Sequence, residues 1–239
     1  AYEIVDCDWS SDVCSSDLSG GAAQGLVEAL ADAYRAQTGL GIGGSFGAVG
    51  VMRDQLLAGE ACDLLILSQT LIDGLVQSGH VLANSVCPLG SVHAGVAVPA
   101  GHPHPKVDTP EALRQALAQA SVIYCPNPQQ ATAGIHFYKV LTELGLTQTH
   151  AERMRTYPNG NTAMRAMADD AIAGAIGSTQ VTEIVYTSGV ELVGLLPAPH
   201  GLSTVYTAAV SAKARQPEAA RALIELLTAP HHEIGRAHV

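Results

Sequence analysis

The sequence predicts an α/β protein with largely parallel sheets, and two observations support this class. Short apolar runs alternate along the chain with amphipathic helical patterns of about 10–15 residues, which is typical of βαβ units. Small, glycine-rich segments stand where several apolar runs pass into the next helical pattern. The pattern alone allows either a single sheet or two lobes joined by crossovers.

The helices are predicted from apolar residues at helical spacing. Gly39 follows the first such pattern as a C-cap, and Gly59 closes the second. Asp108, Pro110 and Glu111 form a helix start, with Asp108 as N-cap and the proline inside the first turn. In chain order the helices are expected over 26–34, 49–57 and 69–78, from 108 onward, and over 133–144, 162–169 and 217–227.

The strands are predicted from short apolar runs bounded by small or polar residues. The run at 63–67 reads DLLIL and is typical of a strand that is buried on both faces. The other strands are expected over 40–42, 94–98, 122–124, 173–176, 192–196 and 204–210. Strands and helices therefore alternate over most of the chain.

Composition and charge exclude several classes of protein. The chain has 239 residues, of which 47% are apolar, so it is long enough for two small lobes and too apolar for global disorder. Its formal net charge is −10, and its 12 Lys and Arg residues form no cluster. An acidic chain without a basic patch is not expected to bind nucleic acid or an anionic membrane surface. Its apolar runs are too short and too interrupted to cross a bilayer.

Both ends of the chain resemble translated sequencing-adapter DNA. Asp8–Leu18 reads DWSSDVCSSDL and residues 234–239 read IGRAHV, and one adapter in its two orientations encodes both strings. We therefore expect residues 1–18 and 233–239 to be artefacts and interpret residues 19–232 as the protein. With neither native end present in this interpretation, the lack of an export signal says nothing about the compartment.

A serine-centred motif supports one enzymatic hypothesis. Residues 43–47 read GGSFG, which matches the G-x-S-x-G pattern of a nucleophile elbow between a strand and a helix. His136 and His200 are available as bases. The motif falls early, in the second strand–helix unit, and no HGGG-type oxyanion segment accompanies it. A serine hydrolase with Ser45 as nucleophile is kept as an alternative function.

Other motif matches are interpreted as structural. Gly39–Gly44 matches G-x-G-x-x-G, but the match begins at a helix end and runs through a strand. His102 and His104 lie on a proline-rich turn without converging acids or cysteines, so neither a metal nor a cofactor is expected. The cysteines of the central chain, Cys62, Cys87 and Cys125, are expected to be buried, inert thiols.

A different constellation uses backbone groups rather than side chains. Five segments beside the predicted strands are small and rich in N–H and hydroxyl donors, and none contains Lys or Arg. They are Ser19–Ala22, Gly44–Val49, Thr132–Gly134, Asn159–Thr162 and Gly177–Thr179. Turns that run from a strand into a helix place N–H groups and the positive helix end at the carboxyl edge of a sheet. The segments therefore predict an anion site built from neutral donors, unless small residues merely make tight turns there.

Four stretches of the chain carry a family resemblance. They read SGGAAQGLVEALADAYRAQTGL, SFGAVGVMRDQLLAGEACDLLIL, NPQQATAGIHFYKVLTELGL and GNTAMRAMADDAIAGAIGSTQ. The SFG turn that runs into a helix and is followed by AGEACDLLIL is the most specific part. Together they resemble the molybdate-binding proteins of bacterial ABC importers and, more widely, the type II periplasmic binding proteins. The resemblance covers nearly all of residues 19–232.

This resemblance implies a two-lobed fold, with a mostly parallel sheet flanked by helices in each lobe. Lobe one is then 19–88 plus 201–232, lobe two is 89–200, and two hinge crossovers lie near Ser91 and Gly201. Family members bind a tetrahedral oxyanion between their lobes and catalyse no reaction. The implied partners are a small oxyanion or other small solute and a membrane permease, and the implied form is a periplasmic monomer that binds no nucleic acid.

The resemblance also implies a set of ligand-binding residues in the donor-rich segments. They are Gly21, Ala22, Ser45, Ala48, Val49, Thr132, Ala133, Thr162, Gly177 and Ser178. No residue is expected to be catalytic. The chain departs from the family pattern where two serines read Ala22 and Val49 and a tyrosine reads Gly177. Molybdate or tungstate is the first candidate ligand, and another small solute is the second.

Two further expectations follow from the start of the chain. Family members enter the first turn through an apolar strand, whereas this chain has Cys14–Leu18, which reads CSSDL. A central strand of Ser and Asp has poor β-propensity, so we expect a less stable protein than one with an apolar strand. The alternative of a ligand-sensing domain from a transcription regulator also stays open, because a DNA-binding segment would precede Ser19.

Overall fold

The computed structural model describes residues 15–148 and 151–229, and the chain divides into two compact units. Unit 1 holds the chain up to Ser91 and from Thr204 onward, and unit 2 is Val92–Ser203. The chain passes from one unit to the other inside two strands, β4 (Cys87–Pro99) and β9 (Ser203–Val210). Most of both proposed adapter segments, residues 1–14 and 233–239, lies outside the described residues.

Unit 1 is a twisted sheet with helices. Its other strands are β1 (Ser15–Gly20), β2 (Ile42–Gly47) and β3 (Leu64–Ser68), and its helices are α1 (Gln24–Thr38), α2 (Val49–Leu57), α3 (Gln69–Gln77) and α8 (Pro217–Leu227). The strand order is β2–β1–β3–β9, where the first three strands are parallel and β9 is antiparallel to β3. The serine- and aspartate-rich start of the chain thus forms a central strand, as the sequence analysis expected.

The core of unit 1 follows from the apolar pattern. Leu64–Leu67 of β3 are fully buried, because both faces of this inner strand are covered. Helix α1 buries Leu30 and Tyr34 on one face, and the Tyr34 hydroxyl donates to the carbonyl of Ala219 in α8 at 3.2 Å. Gly39 ends α1 with a φ of 74°, a left-handed conformation that favours glycine. The predicted C-cap is confirmed.

Unit 2 is a second mixed sheet. Besides β4 it contains β5 (Ile123–Pro126), β6 (Met154–Tyr157), β7 (Ile176–Gln180) and β8 (Val190–Leu195), with helices α4 (Pro110–Gln119), α5 (Thr132–Glu143), α6 (Gly160–Asp170) and α7 (Val181–Tyr186). Strands β7, β5 and β6 are parallel neighbours in that order. Strand β4 runs antiparallel to both β7 and β8. The α/β class with parallel central strands is confirmed.

Two strand predictions and one helix cap are wrong in detail. The strand expected at 40–42 is β2, which begins at Ile42 and includes the GGSFG motif, because those residues pair along β1. The strand expected at 173–176 is β7, since Gly174 has a φ of 75° and lies in a turn before it. The N-cap of α4 is Thr109 rather than Asp108, and its Oγ1 accepts the N–H of Ala112 at 3.2 Å.

Two further features of the structure concern the helices and the cysteine thiols. None of the helices in residues 15–148 and 151–229 has both the length and the apolar character needed to cross a membrane. Cys62 and Cys125 are buried free thiols, whereas Cys87 is half-buried. Burial raises the pKa of the Cys125 thiol to about 12, which keeps it protonated and unreactive at neutral pH.

Candidate functional site

The carboxyl ends of β1 and β2 meet at one edge of the unit 1 sheet. The two strands are parallel, and Gly20 at the end of β1 pairs with Gly47 at the end of β2. A short 3-10 turn, Gly21–Ala23, leads from β1 into α1. Ala48 stands between β2 and α2 as the N-cap, and Val49 begins the helix. The structure therefore brings together the predicted residues of the first turn with those of the second.

This edge is lined by apolar side chains. A Cβ added at Gly20 would lie 2.8 Å from Val49 Cγ1 and 2.9 Å from Tyr206 Cε1, so only glycine fits there. Ala22 and Val49 are both buried. The two positions that are serine in the molybdate pattern therefore present methyl groups, not hydroxyls. Tyr206, on β9, was missed by the sequence analysis, because it is far from these turns along the chain.

Ser45 is not at a strand-to-helix turn, which corrects the nucleophile-elbow interpretation. It lies inside β2, two residues before Gly47, and pairs with Leu18 of β1. A nucleophile elbow needs its serine on a sharp turn at the top of the strand. The predicted base His136 contacts the backbone of its own unit, where Nε2 lies 2.7 Å from the carbonyl of His200.

Among the serines of β1, Ser19 lies nearest to the predicted site at the end of the strand. It is fully buried one residue before the end of the strand. Within the described part of the chain its Oγ has no hydrogen-bond partner.

In unit 2 the start of α5 carries two of the predicted residues. Thr132 and Ala133 are the first residues of α5, and Ala131 is the N-cap. The N-cap alanine has no polar side chain, so it offers no acceptor to the N–H groups of the first turn. A Cβ at Gly134 would overlap the carbonyls of Pro126 and Asn127, so the helix begins directly against the end of β5. The first-turn N–H groups of α5 therefore stand at the carboxyl edge of the sheet.

The start of α6 is arranged differently. Asn159 is the N-cap, and its Oδ1 accepts both the N–H of Thr162 at 2.8 Å and the Oγ1 hydroxyl of Thr162 at 2.9 Å. Both donors predicted for Thr162 are therefore used within its own turn.

A buried carboxylate, Glu183, completes the same helix start and was missed by the sequence analysis. Only 5% of Glu183 is exposed. Its Oε2 accepts the Thr179 hydroxyl at 2.5 Å, and backbone N–H groups of Gly160, Asn161 and Gln180 also donate to the carboxylate. Burial raises the pKa of Glu183 to about 7, although these hydrogen bonds oppose the rise. In sequence it is only an acid in the first turn of a short helix.

Gly177 and Ser178 lie inside β7 and not in a turn after it, which corrects the predicted fifth turn. The Ser178 hydroxyl donates to the carbonyl of Gly95 at 3.0 Å. A Cβ at Gly177 would lie 2.6 Å from Met164 Cε and 3.0 Å from Met167 Sδ on α6. A side chain at 177 would therefore point toward the methionines that pack against β7 in this structure.

Another group of titratable side chains surrounds Glu143, the last residue of α5. Nδ1 of His200 lies 3.2 Å from Oε2 of Glu143, and Lys139 reaches the other oxygen of the same carboxylate at 3.7 Å. In the part of the chain that the structure describes, no three metal-ligating side chains form a group that could hold an ion. These contacts connect the buried His200 to the C-terminal turn of α5.

Comparison with protein families and known proteins agrees with the fold. Residues 18–233 match the family described as bacterial extracellular solute-binding protein. A relative named aconitate isomerase, from a Pseudomonas species, is 29% identical over 222 residues, which cover 88% of this chain and 80% of the relative.

Solved structures show the same fold. The periplasmic molybdate-binding protein of Azotobacter vinelandii superimposes with a TM-score of 0.74 at 20% identity, covering 91% of this chain and 94% of that one. The sulfate-binding protein SubI of Mycobacterium tuberculosis superimposes with a TM-score of 0.71 at 17% identity, covering 92% and 83% of the two chains.

Proposed function

Because the chain belongs to the bacterial extracellular solute-binding protein family, we propose that it is the periplasmic binding protein of an ABC importer and takes a small oxyanion as its solute. In this proposal the protein makes and breaks no bonds. It delivers the solute to a membrane permease. Molybdate and tungstate are the first candidates, because the sequence resembles molybdate-binding proteins.

One observation carries this proposal: α2 and α5 begin at the carboxyl ends of parallel strands, and their N-cap residues, Ala48 and Ala131, have no side-chain acceptor for the first-turn N–H groups. Such helix starts offer several N–H donors and the positive end of the helix dipole, which together stabilise an anion. The turns at Ala48 and Thr132 contain neither Lys nor Arg. An anion is then held by dipoles alone, which suits reversible binding.

A thermal-shift titration of the full chain tests the proposal. Molybdate, tungstate, sulfate and phosphate are added separately, with chloride at matched ionic strength as the control. A ligand at 100 times its dissociation constant adds about 2.7 kcal/mol of stability, so a specific oxyanion raises the melting temperature by several degrees. The absence of any shift in a folded sample would contradict oxyanion binding.

A second candidate function is a polycarboxylate binder with isomerase activity. It is favoured by the relative named aconitate isomerase and by the methyl groups at Ala22 and Val49. Each protein hydroxyl that no longer donates to a charged ligand weakens binding by about 1.5–3 kcal/mol. An organic acid depends less on these hydroxyls, because its carbon atoms also contact apolar side chains. The same titration with cis- and trans-aconitate, followed by chromatography of the mixture, separates the candidates. Binding of aconitate without conversion supports transport, and conversion supports catalysis.

A further inference from the structure

The N-terminus of α6 is closed by side chains of its own unit. Helix starts leave their first N–H groups without helical partners. In α6, Gly160 and Asn161 donate to the carboxylate of Glu183, and Thr162 donates to Asn159 Oδ1. The N–H of Ala163 already bonds to the carbonyl of Asn159 at 3.1 Å. Every first-turn donor of α6 thus has an acceptor within unit 2.

The Glu183 carboxylate is held firmly in this place. The Thr179 hydroxyl fixes one carboxylate oxygen, and the Thr187 hydroxyl donates to the backbone carbonyl of Glu183 at 2.7 Å. A Cβ at Gly160 would overlap both Glu183 Oε2 and Thr179 Oγ1. Glycine at this position therefore allows the carboxylate to approach the helix start closely.

The start of α5 shows the contrasting arrangement in the same unit. Strands β5 and β6 are parallel neighbours, so α5 and α6 begin at the same edge of the sheet. At the start of α5 the N-cap residue, Ala131, offers no side-chain acceptor. The carboxylate of Glu183 compensates the positive end of α6, whereas the N-cap side chain of α5 supplies neither a charge nor a hydrogen-bond acceptor.

We propose that Glu183 is a specificity-determining residue: an internal anion that occupies the α6 start, so that the charge of the solute is held by the other donors of this edge. The inference rests on the proposed function in one respect: it assumes that the solute binds at the sheet edge where α5 and α6 begin. A second negative charge beside Glu183 is disfavoured, because like charges in a poorly solvated site repel each other strongly. Glu183 therefore limits the negative charge of a solute that binds at this edge of the unit 2 sheet.

The test compares the full-length protein with Glu183→Gln at pH 8, above the carboxyl pKa of about 7. Glutamine keeps the shape and one acceptor oxygen but removes the charge. Sulfate and molybdate are titrated into both proteins by calorimetry. We expect affinity for at least one of these dianions to rise about tenfold or more in the variant, which corresponds to about 1.4 kcal/mol. Equal affinities in the two folded proteins would overturn the proposal.

Glu111→Gln is the matched control, because Glu111 is exposed in the first turn of α4 in the same unit. It removes the same charge, and we expect it to leave both affinities unchanged. A gain equal to that of Glu183→Gln would show a general charge effect and overturn the proposal.

Thr179→Val serves if Glu183→Gln fails to fold. It deletes the hydroxyl that donates to the Glu183 carboxylate, so we expect a smaller increase in dianion affinity than in Glu183→Gln. If a folded Thr179→Val protein shows no increase, that result contradicts the proposal. If the unaltered protein binds none of the oxyanions, the proposed oxyanion transport fails. The comparison of variants still decides the role of Glu183, because removing its negative charge should by itself strengthen dianion binding at this edge.

Discussion

The carboxylate of Asp63 accepts the backbone N–H of Arg215 at 2.6 Å, although 152 residues separate them. The same oxygen accepts the N–H of Gln216, the N-cap of α8, and the other oxygen accepts the N–H of Ser16 in β1. One buried side chain thus joins the start of β3, the first strand and the last helix of unit 1.

Asp63→Ala should therefore destabilise the protein strongly. The substitution leaves three part-buried backbone N–H groups without their acceptor, and we expect a loss of about 2–4 kcal/mol in the free energy of unfolding. Urea unfolding followed by circular dichroism measures it. Asp54→Ala is the control, since Asp54 pairs with Arg53 at the surface, and its expected loss is below about 0.5 kcal/mol. Equal losses in the two variants would contradict this role for Asp63.

Asp17→Val should stabilise the protein. Asp17 is 1% exposed in the central strand β1, where a charged side chain is costly to bury and has poor β-propensity. We expect a gain of about 1–3 kcal/mol, measured as a higher urea midpoint. Asp32→Val, at an exposed position of α1, is the control and should bring no gain. Identical midpoints for Asp17→Val and the unaltered protein would refute the expectation.

Glu183 should make stability depend on pH. Its pKa is raised in the folded protein from 4.5 to about 7, so the unfolded chain loses this proton first as pH rises. The contribution of the protonated Glu183 to folding stability is fully present below pH 4.5 and is lost as the pH rises through about 7.

The free energy of unfolding, relative to Glu183→Gln, should therefore fall by about 3 kcal/mol between pH 4.5 and pH 8. Urea titrations of both proteins at several pH values measure the difference. A difference that stays constant with pH would show that the Glu183 pKa is not raised.

Gly177→Ala should destabilise unit 2. The new Cβ would lie 2.6 Å from Met164 Cε, and overpacking of this kind costs about 1–3 kcal/mol. Gly74→Ala is a matched control in α3, where nothing described lies within 4 Å of the added Cβ. That change should stabilise by about 0.5–1 kcal/mol, because alanine favours helix. Thermal melts of the two variants should thus shift in opposite directions, and a shared direction would argue against the packing at Gly177.

Ser45 should not react with a fluorophosphonate probe. It lies within β2 and pairs with Leu18, so it lacks the exposed turn that activates a nucleophile. Intact-mass spectrometry of the treated protein, with a serine protease as positive control, measures labelling. Labelling that disappears in Ser45→Ala would instead revive the hydrolase alternative.

The sequence predicted the parts of the fold that depend on neighbours along the chain. The helix end at Gly39 and the buried strand around Leu65 were read correctly, because periodicity and capping involve residues a few positions apart. The order of strand, turn and helix around Ala48 and Thr132 was also correct. The strands at 40–42 and 173–176 were misplaced, because glycine- and serine-rich segments show no apolar pattern and become strands only by pairing.

The sequence by itself determined the α/β class and the family resemblance, because both are encoded in local patterns and short motifs. Only the tertiary structure decided which donors are already used. The Glu183 carboxylate meets Gly160 from another helix, and Asp63 meets Arg215 from the far end of the chain. Such contacts depend on how the strands are ordered in each sheet, and no residue spacing records that order. Only the tertiary structure therefore shows that acceptors within unit 2 already occupy the N–H donors at the start of α6.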